Sequence, residues 1–237
     1  MEVTTLGTPE SPFGSILTID RPSTAEQIAG KLRELILSGE LAPNTPLKEA
    51  QIAAAFDTSR NTVRETLLLL THEGIVQRNR NKGAIVAVLT KEDIEDMSKA
   101  RKALELSAVD AYQRGSSIPL TALEGALGRL AEAVESKDPA AIPLADALFH
   151  RALVSLHGSG RLMGLYDQLW TGIRLATLVS TRQDAEEDRS VLDEHQRVYD
   201  YLAAGDFDAC RKELERMIDE TELRLLRSHA AAEGAVI

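Results

Sequence analysis

The 237-residue chain has a single cysteine, Cys210, and only 4% aromatic residues. One thiol excludes an intrachain disulfide framework and suits a reducing, cytoplasmic setting. With so few rings, the core has to rest on Leu, Ala, Ile and Val. No run approaches the roughly 20 apolar residues of a membrane span, so no membrane segment is expected. The opening MEVTTLGTPESPFGS lacks both a basic start and a long apolar stretch, so it does not read as a secretory signal. Positive charge is also short, with 27 Lys and Arg against 37 Asp and Glu and a net charge of -10. Taken as a whole, that balance argues against a protein that binds polyanions over its entire surface.

The charge is not spread evenly. Residues 20–89 hold nine Lys/Arg against eight Asp/Glu, whereas residues 90–237 hold 18 against 27. Within 58–83 the bases Arg60, Arg64, Arg78, Arg80 and Lys82 face only Glu65 and Glu73. The positive charge is therefore local. Apolar (43%) and charged (27%) fractions are those of an ordinary globular chain, long enough for one large domain or two modest ones.

Residues 1–19 are rich in Thr, Pro, Ser and Gly and read as a loose arm. Ser23 or Thr24 can cap a helix over about 25–38, in which Ile28, Leu32, Leu35 and Ile36 keep a helical period. Leu41 to Pro46 is a turn-rich connector. A second helix is expected over about 48–56, with Ile52, Ala53 and Phe56 inward. Asp57-Thr58 then makes a tight turn, and Ser59 can cap a third helix running to about His72, with Val63, Leu67, Leu68 and Leu70 mainly buried. Gly74 ends it. Residues 75–80 and 84–89 read as two strands around an Asn81-Lys82-Gly83 turn. From Thr90 the pattern becomes all-helical, with spans of about 91–114, 119–137, 143–157, 161–182, 186–204 and 206–229. Pro143 begins or kinks its helix. The expected fold is mainly α: an N-terminal winged helix-turn-helix over 20–89 and a C-terminal antiparallel helical bundle over 90–237.

A helix-turn-helix presents the first residues of its second helix to the major groove. Here these are Ser59, Arg60, Asn61, Thr62 and Arg64. Arg pairs bidentately with guanine and Asn with adenine, and Arg60 and Arg64 share one helix face. Lys82 and Gly83 at the wing tip can reach the minor groove or its phosphates. An isolated pair of arginines on a leucine helix would read as a solvated face; the order helix, turn, helix, basic hairpin favours a reader of double-stranded DNA. Ser59-Arg-Asn-Thr-Val-Arg-Glu65, Glu73-Gly-Ile-Val76 and Asn81-Lys-Gly-Ala84 resemble the DNA-binding signature of the GntR family of bacterial transcription regulators. Leu32-Arg33, Ile36, Gly39, Leu41-Ala-Pro43 and Leu47-Lys-Glu49 fit it as well, so the resemblance covers about 25–88. It implies DNA-contact roles for Arg60, Thr62, Arg64 and the Lys82-Gly83 tip. One departure is Asp57, where the family usually has Gly; Asp tolerates left-handed backbone, so the turn is expected to survive.

Residues 91–228 resemble the FCD ligand-binding domain of the FadR-type branch of that family, through Arg101-Lys-Ala-Leu-Glu105, Asp146-Ala-Leu-Phe-His150, Glu194-His195 and Gly205-Asp206. Asp146 and His150, at i and i+4, can point at one ion, and a bundle can bring His195 alongside. One carboxylate and two imidazoles suit Zn, Ni, Mn or Fe, with positions left for water or an effector. The same groups can equally form a metal-free polar pocket that holds a ligand. In metal-binding members of the branch a further His completes the site; the matching residue here is Met217, a poor ligand for a hard ion. His157 lies two turns from His150, too far to substitute. Ser159 stands near a place where the family uses Asn. By resemblance Arg101 faces the cavity and can pair with a ligand carboxylate, the other reading being an ion pair with Glu105. Tyr166 and Trp170 read as core.

These features lead to a ligand-responsive transcription regulator, most simply a repressor. It would bind a pseudo-palindromic operator as a homodimer and take a small organic acid as effector. A second class is a metal-dependent enzyme using Asp146, His150 and His195, but no positioned nucleophile and no HExxH motif accompany them. A purely structural helical protein would leave Arg60, Arg64 and Lys82 without a purpose.

Overall fold

The computed structural model describes residues 22–80, 82–136, 141–177 and 185–234. The expected arm at 1–19, Asn81 of the wing turn, the Lys137–Pro139 break and the 178–182 end of one expected helix lie outside them. Among the described residues no helix is long and apolar enough to cross a membrane.

The N-terminal unit is built from α1 (Thr24–Leu37), α2 (Glu49–Ala55), α3 (Arg60–His72), β1 (Val76–Asn79) and β2 (Gly83–Val86). Ser23 caps α1 in a reciprocal capping box with Glu26, which satisfies two of the amide groups that a helix start leaves unpaired. The turn from α2 to α3 bends at Asp57, whose φ of 47° is the left-handed conformation expected of it. Ile28, Leu32, Ile36, Val63, Leu67 and Leu70 meet in one core. Thr66, fully buried on α3, donates to the Ala25 carbonyl and ties α3 to the start of α1. Arg33 of α1 reaches Glu73 at the end of α3 at 2.6 Å.

Two expectations need correction here. Leu68, expected inside, is 56% exposed; Thr66 takes the inward position on that turn instead, because its hydroxyl finds acceptors in Thr62 and Ala25. The strands are shorter than 75–80 and 84–89. They pair antiparallel from Val76 opposite Val86 to Asn79 opposite Gly83. The outer edge of β2 is covered by the connector, which donates from Leu47 to Ala84 and from Asn44 to Val86 and bridges Pro46 to Ile85. That pairing blunts an edge that would otherwise be open.

Thr90 caps α4 (Lys91–Gln113) directly after the wing, in a second capping box with Asp93. The bundle continues with α5 (Thr121–Ser136), α6 (Ala141–Ser155), α7 (Gly160–Thr177), α8 (Ala185–Ala204) and α9 (Phe207–Gly234). Pro143 sits in the first turn of α6, where its missing N–H has no intrahelical partner to lose. α6 starts and ends about two residues earlier than expected, and α9 runs further, to Gly234. α4 packs on α9, α5 on α6 and α8 on α9. Val109, Leu123, Phe149, Leu153, Val198 and Leu214 form the main core of this unit. Leu175 near the end of α7 joins the core of the N-terminal unit, so the two units share apolar contact.

Leu70→Ala is expected to destabilise the protein by about 2–5 kcal/mol, and Leu68→Ala by less than about 0.5 kcal/mol. Urea unfolding followed by circular dichroism measures both, and equal losses would contradict the observed orientation of α3.

Candidate DNA interface and candidate metal centre

At the start of α3, Ser59 is extended (φ -77°, ψ 150°) and its Oγ accepts from the Thr62 amide at 3.1 Å. The two hydroxyls lie 2.9 Å apart. Ser59 and Thr62 thus serve first to hold the helix start. Arg60, Asn61 and Arg64 are exposed. Arg64 donates from Nε to Glu49 Oε2 at 3.0 Å and from Nη1 to Asn61 Oδ1 at 3.2 Å. An exposed pair of this kind adds little stability, but it orients the guanidinium.

At the wing tip, Gly83 has φ 74°, a conformation that suits glycine. Lys82 is exposed, and its Nζ donates to Asn44 Oδ1 at 3.2 Å. A groove of about 350 Å³ runs between α3 and the wing, lined by Arg64, Leu68, Thr71, Arg78, Arg80 and Gly83. Arg64 of α3 and Arg78 and Arg80 of the wing therefore line one concave surface, with Glu49 beside them. Arg78 and Arg80 were not singled out as contact residues from the sequence; their place within the basic 58–83 stretch was the available signal.

In the bundle, the metal-ligating atoms of Asp146, His150 and His195 all lie within 4.8 Å of one another. Both imidazoles are buried. His150 Nδ1 is 2.8 Å from Glu105 Oε2, and His195 Nδ1 is 2.6 Å from the Val191 carbonyl. Carboxylate and carbonyl oxygens only accept, so each Nδ1 carries the proton. Each ring then turns its Nε2 toward Asp146, at 3.9 Å from His150 and 3.1 Å from His195. His195 Nε2 is buried and has no hydrogen-bond partner among the described residues. Phe149 packs edge-on against His195 with ring centroids 4.7 Å apart, forming a dry wall. Two oriented imidazoles, one with an orphaned nitrogen, beside a carboxylate are a donor set that fits a divalent cation.

The cavity in front of these groups measures about 130 Å³ and is also lined by Ser190, Glu194, Met217, Thr221 and Arg224. Met217 therefore stands at the cavity wall, as its place in the sequence implied. Arg101 does not line it. It lies behind, buried, with Nε 2.9 Å from Glu105 Oε1. Tyr166 is buried as expected, but its hydroxyl donates to the same oxygen at 2.9 Å. Burial alone would raise the Glu105 pKa; Arg101 and His150 outweigh it and hold the carboxyl down at about 2. Burial beside that carboxylate pushes the Tyr166 hydroxyl up, so it stays a donor. Glu105 was read from the sequence only as a partner for Arg101; its contact with His150 had no local signature. His157 is turned away, between Ser107 Oγ and the Leu104 carbonyl. Ser159 Oγ caps the start of α7. Cys210 is buried, and burial pushes its thiol up to about 12, which makes it inert.

Residues 24–86 match the family of bacterial regulatory proteins known as gntR, and residues 96–220 match the FCD domain. The gluconate operon transcriptional repressor of Bacillus licheniformis is 27% identical over 209 residues, covering 86% of each chain. The repressor of the same name from Bacillus subtilis is 26% identical over an equal length and coverage. A solved structure of a GntR-type transcriptional regulator from Rhodococcus sp. RHA1 is 32% identical and superposes with a TM-score of 0.77, covering 86% of this chain and 98% of its own. E. coli McbR/YncC shares the fold at a TM-score of 0.72 and 23% identity, over 88% of this chain and all of that one. With both units matched, the chain belongs to the GntR family of bacterial regulators and is a DNA-binding transcription regulator with an FCD effector domain, not an enzyme.

Proposed function

We propose that this regulator is a homodimeric repressor. Residues 20–89 read DNA, and residues 90–237 bind effector and join the two subunits. The observation that carries this reading is the groove between α3 and the wing, lined by Arg64, Arg78, Arg80 and Gly83, with Arg60, Asn61 and Lys82 also exposed on these elements. Arg64, steered by Glu49 and Asn61, and Arg60 contact base edges in the major groove, while Ser59 and Thr62 shape the helix start. Lys82, Arg78 and Arg80 neutralise the flanking backbone. A two-fold dimer would place two such faces on a pseudo-palindromic operator. Repression is favoured by relatives whose names are those of gluconate operon repressors.

The proposal extends to a divalent cation of the Zn, Ni, Mn or Fe class held by Asp146, His150 and His195. When bound, such an ion supplies a Lewis-acid docking point for the carboxylate of a small effector. The chain's own residues do the rest. Val191 and Glu105 fix the imidazole tautomers, and Phe149 keeps water off His195. Thr221 and Arg224 at the cavity wall offer a hydroxyl and a cation to the effector's other polar groups. Arg101 acts on this site through Glu105 rather than by touching effector. The name gluconate in two relatives is consistent with an organic acid in this place.

On DNA flanking its own gene, Arg64→Ala is expected to cost about 1–3 kcal/mol of specific binding in a gel shift. Unchanged affinity and sequence preference would remove Arg64 from the reading set. Affinity should also fall steeply as salt rises, because neutralised phosphates release counterions; a flat response refutes phosphate contact by the basic face. Asp146→Ala should lower the metal content of the purified protein while leaving DNA binding intact. Native protein without metal under metal-replete conditions, or a variant with wild-type content, would overturn the assignment.

A further inference from the structure

Glu105 is fully buried on α4, and its two oxygens face three separate side chains. Oε2 meets His150 of α6, whereas Oε1 accepts from Arg101 of α4 and Tyr166 of α7. A buried carboxylate has no water to replace a lost partner, so displacement toward one of the three is felt by the others. α4 and α7 are also elements that reach the DNA-binding unit. α4 starts at Lys91, just after the wing, and its Ile94 packs with Ala176 of α7 and Leu225 of α9. α7 carries Leu175 into the core of the DNA-binding unit, about 14 Å along the helix from Tyr166 at 1.5 Å per residue. Between them, Gly172 of α7 lies so close to α4 that a Cβ there would come within 2.8 Å of Met97 Sδ.

We infer that Glu105 is the positioning and relay residue of this regulator. Through His150 it registers occupancy of the Asp146–His150–His195 site by a divalent cation. Through Tyr166 and Arg101 it passes that state along α7 and α4 to the DNA-binding unit. This rests on the cation reading above. His150, holding such a cation through Nε2, would become a stronger donor from Nδ1–H and draw Oε2 of Glu105 toward its ring. Oε1 would turn with it, and the Tyr166 hydroxyl, buried and bonded to that oxygen, would carry the change into α7.

The test uses the full chain and Zn²⁺ alone. Affinity is measured by competition with a chromophoric chelator, and amide hydrogen exchange is recorded with and without the ion. In the wild type, Zn²⁺ should change exchange in residues 166–176 and in α1. Glu105→Gln keeps the size but loses a full acceptor for His150, and should weaken Zn²⁺ binding about 10–100-fold, with Glu105→Asp falling between. Tyr166→Phe should bind Zn²⁺ as the wild type does, yet lose the exchange response beyond residue 170. Circular dichroism melting confirms that each variant is folded; if Glu105→Gln does not fold, Tyr166→Phe decides alone. Wild-type Zn²⁺ affinity in Glu105→Gln overturns the positioning role, and a full exchange response in Tyr166→Phe overturns the relay. A wild type that takes up no Zn²⁺ overturns the cation reading itself, an outcome distinct from a wild type and variants that respond alike.

Discussion

The helical domain is organised around one buried carboxylate. Glu105 has no exposure, and an unpaired charge there would be strongly destabilising. It is tolerated because Arg101 neutralises it and His150 and Tyr166 complete its hydrogen bonds. The consequence is geometric. Three helices are held in register at the level of the candidate metal centre, and one imidazole is locked with its lone pair toward Asp146. A hydrophobic residue at 105 could pack that space, but it could not orient His150.

The same economy is seen at the DNA end. Arg64 is steered by Glu49 on the neighbouring helix and by Asn61 on its own, so an acid beside the proposed DNA face orients the guanidinium. The acidic remainder of the chain leaves its positive charge concentrated in residues 58–83. Between the two ends, Leu175 packs into the core of the DNA-binding unit, and Ile94, Ala176 and Leu225 pack together.

Much of this was legible in the chain itself. Helical periodicity, the capping residues Ser23 and Ser59, and the glycines at 74 and 83 marked out the elements of the N-terminal unit to within a few residues. The clustering of Arg60, Arg64 and Lys82 marked the face proposed to meet DNA, and all three are exposed. The i, i+4 spacing of Asp146 and His150 placed two ligating groups on one side of a helix before any tertiary contact was known. Local rules sufficed because helix caps, turns and periodicity depend on residues within about one turn of each other.

What lay opposite each face was decided only by packing. Nothing near Glu105 announced that its second oxygen would meet a histidine 45 positions later, nor that Tyr166 would reach the same carboxylate. Leu68 lies outside its expected place and Thr66 points inward, where its hydroxyl finds a carbonyl on another helix. The connector at 44–47 became a sheet edge because β2 offered it unpaired groups. Periodicity states which side of an element is apolar; it does not state the partner. Partners are selected by long-range fit, and here that fit alone turned three dispersed polar residues into a site.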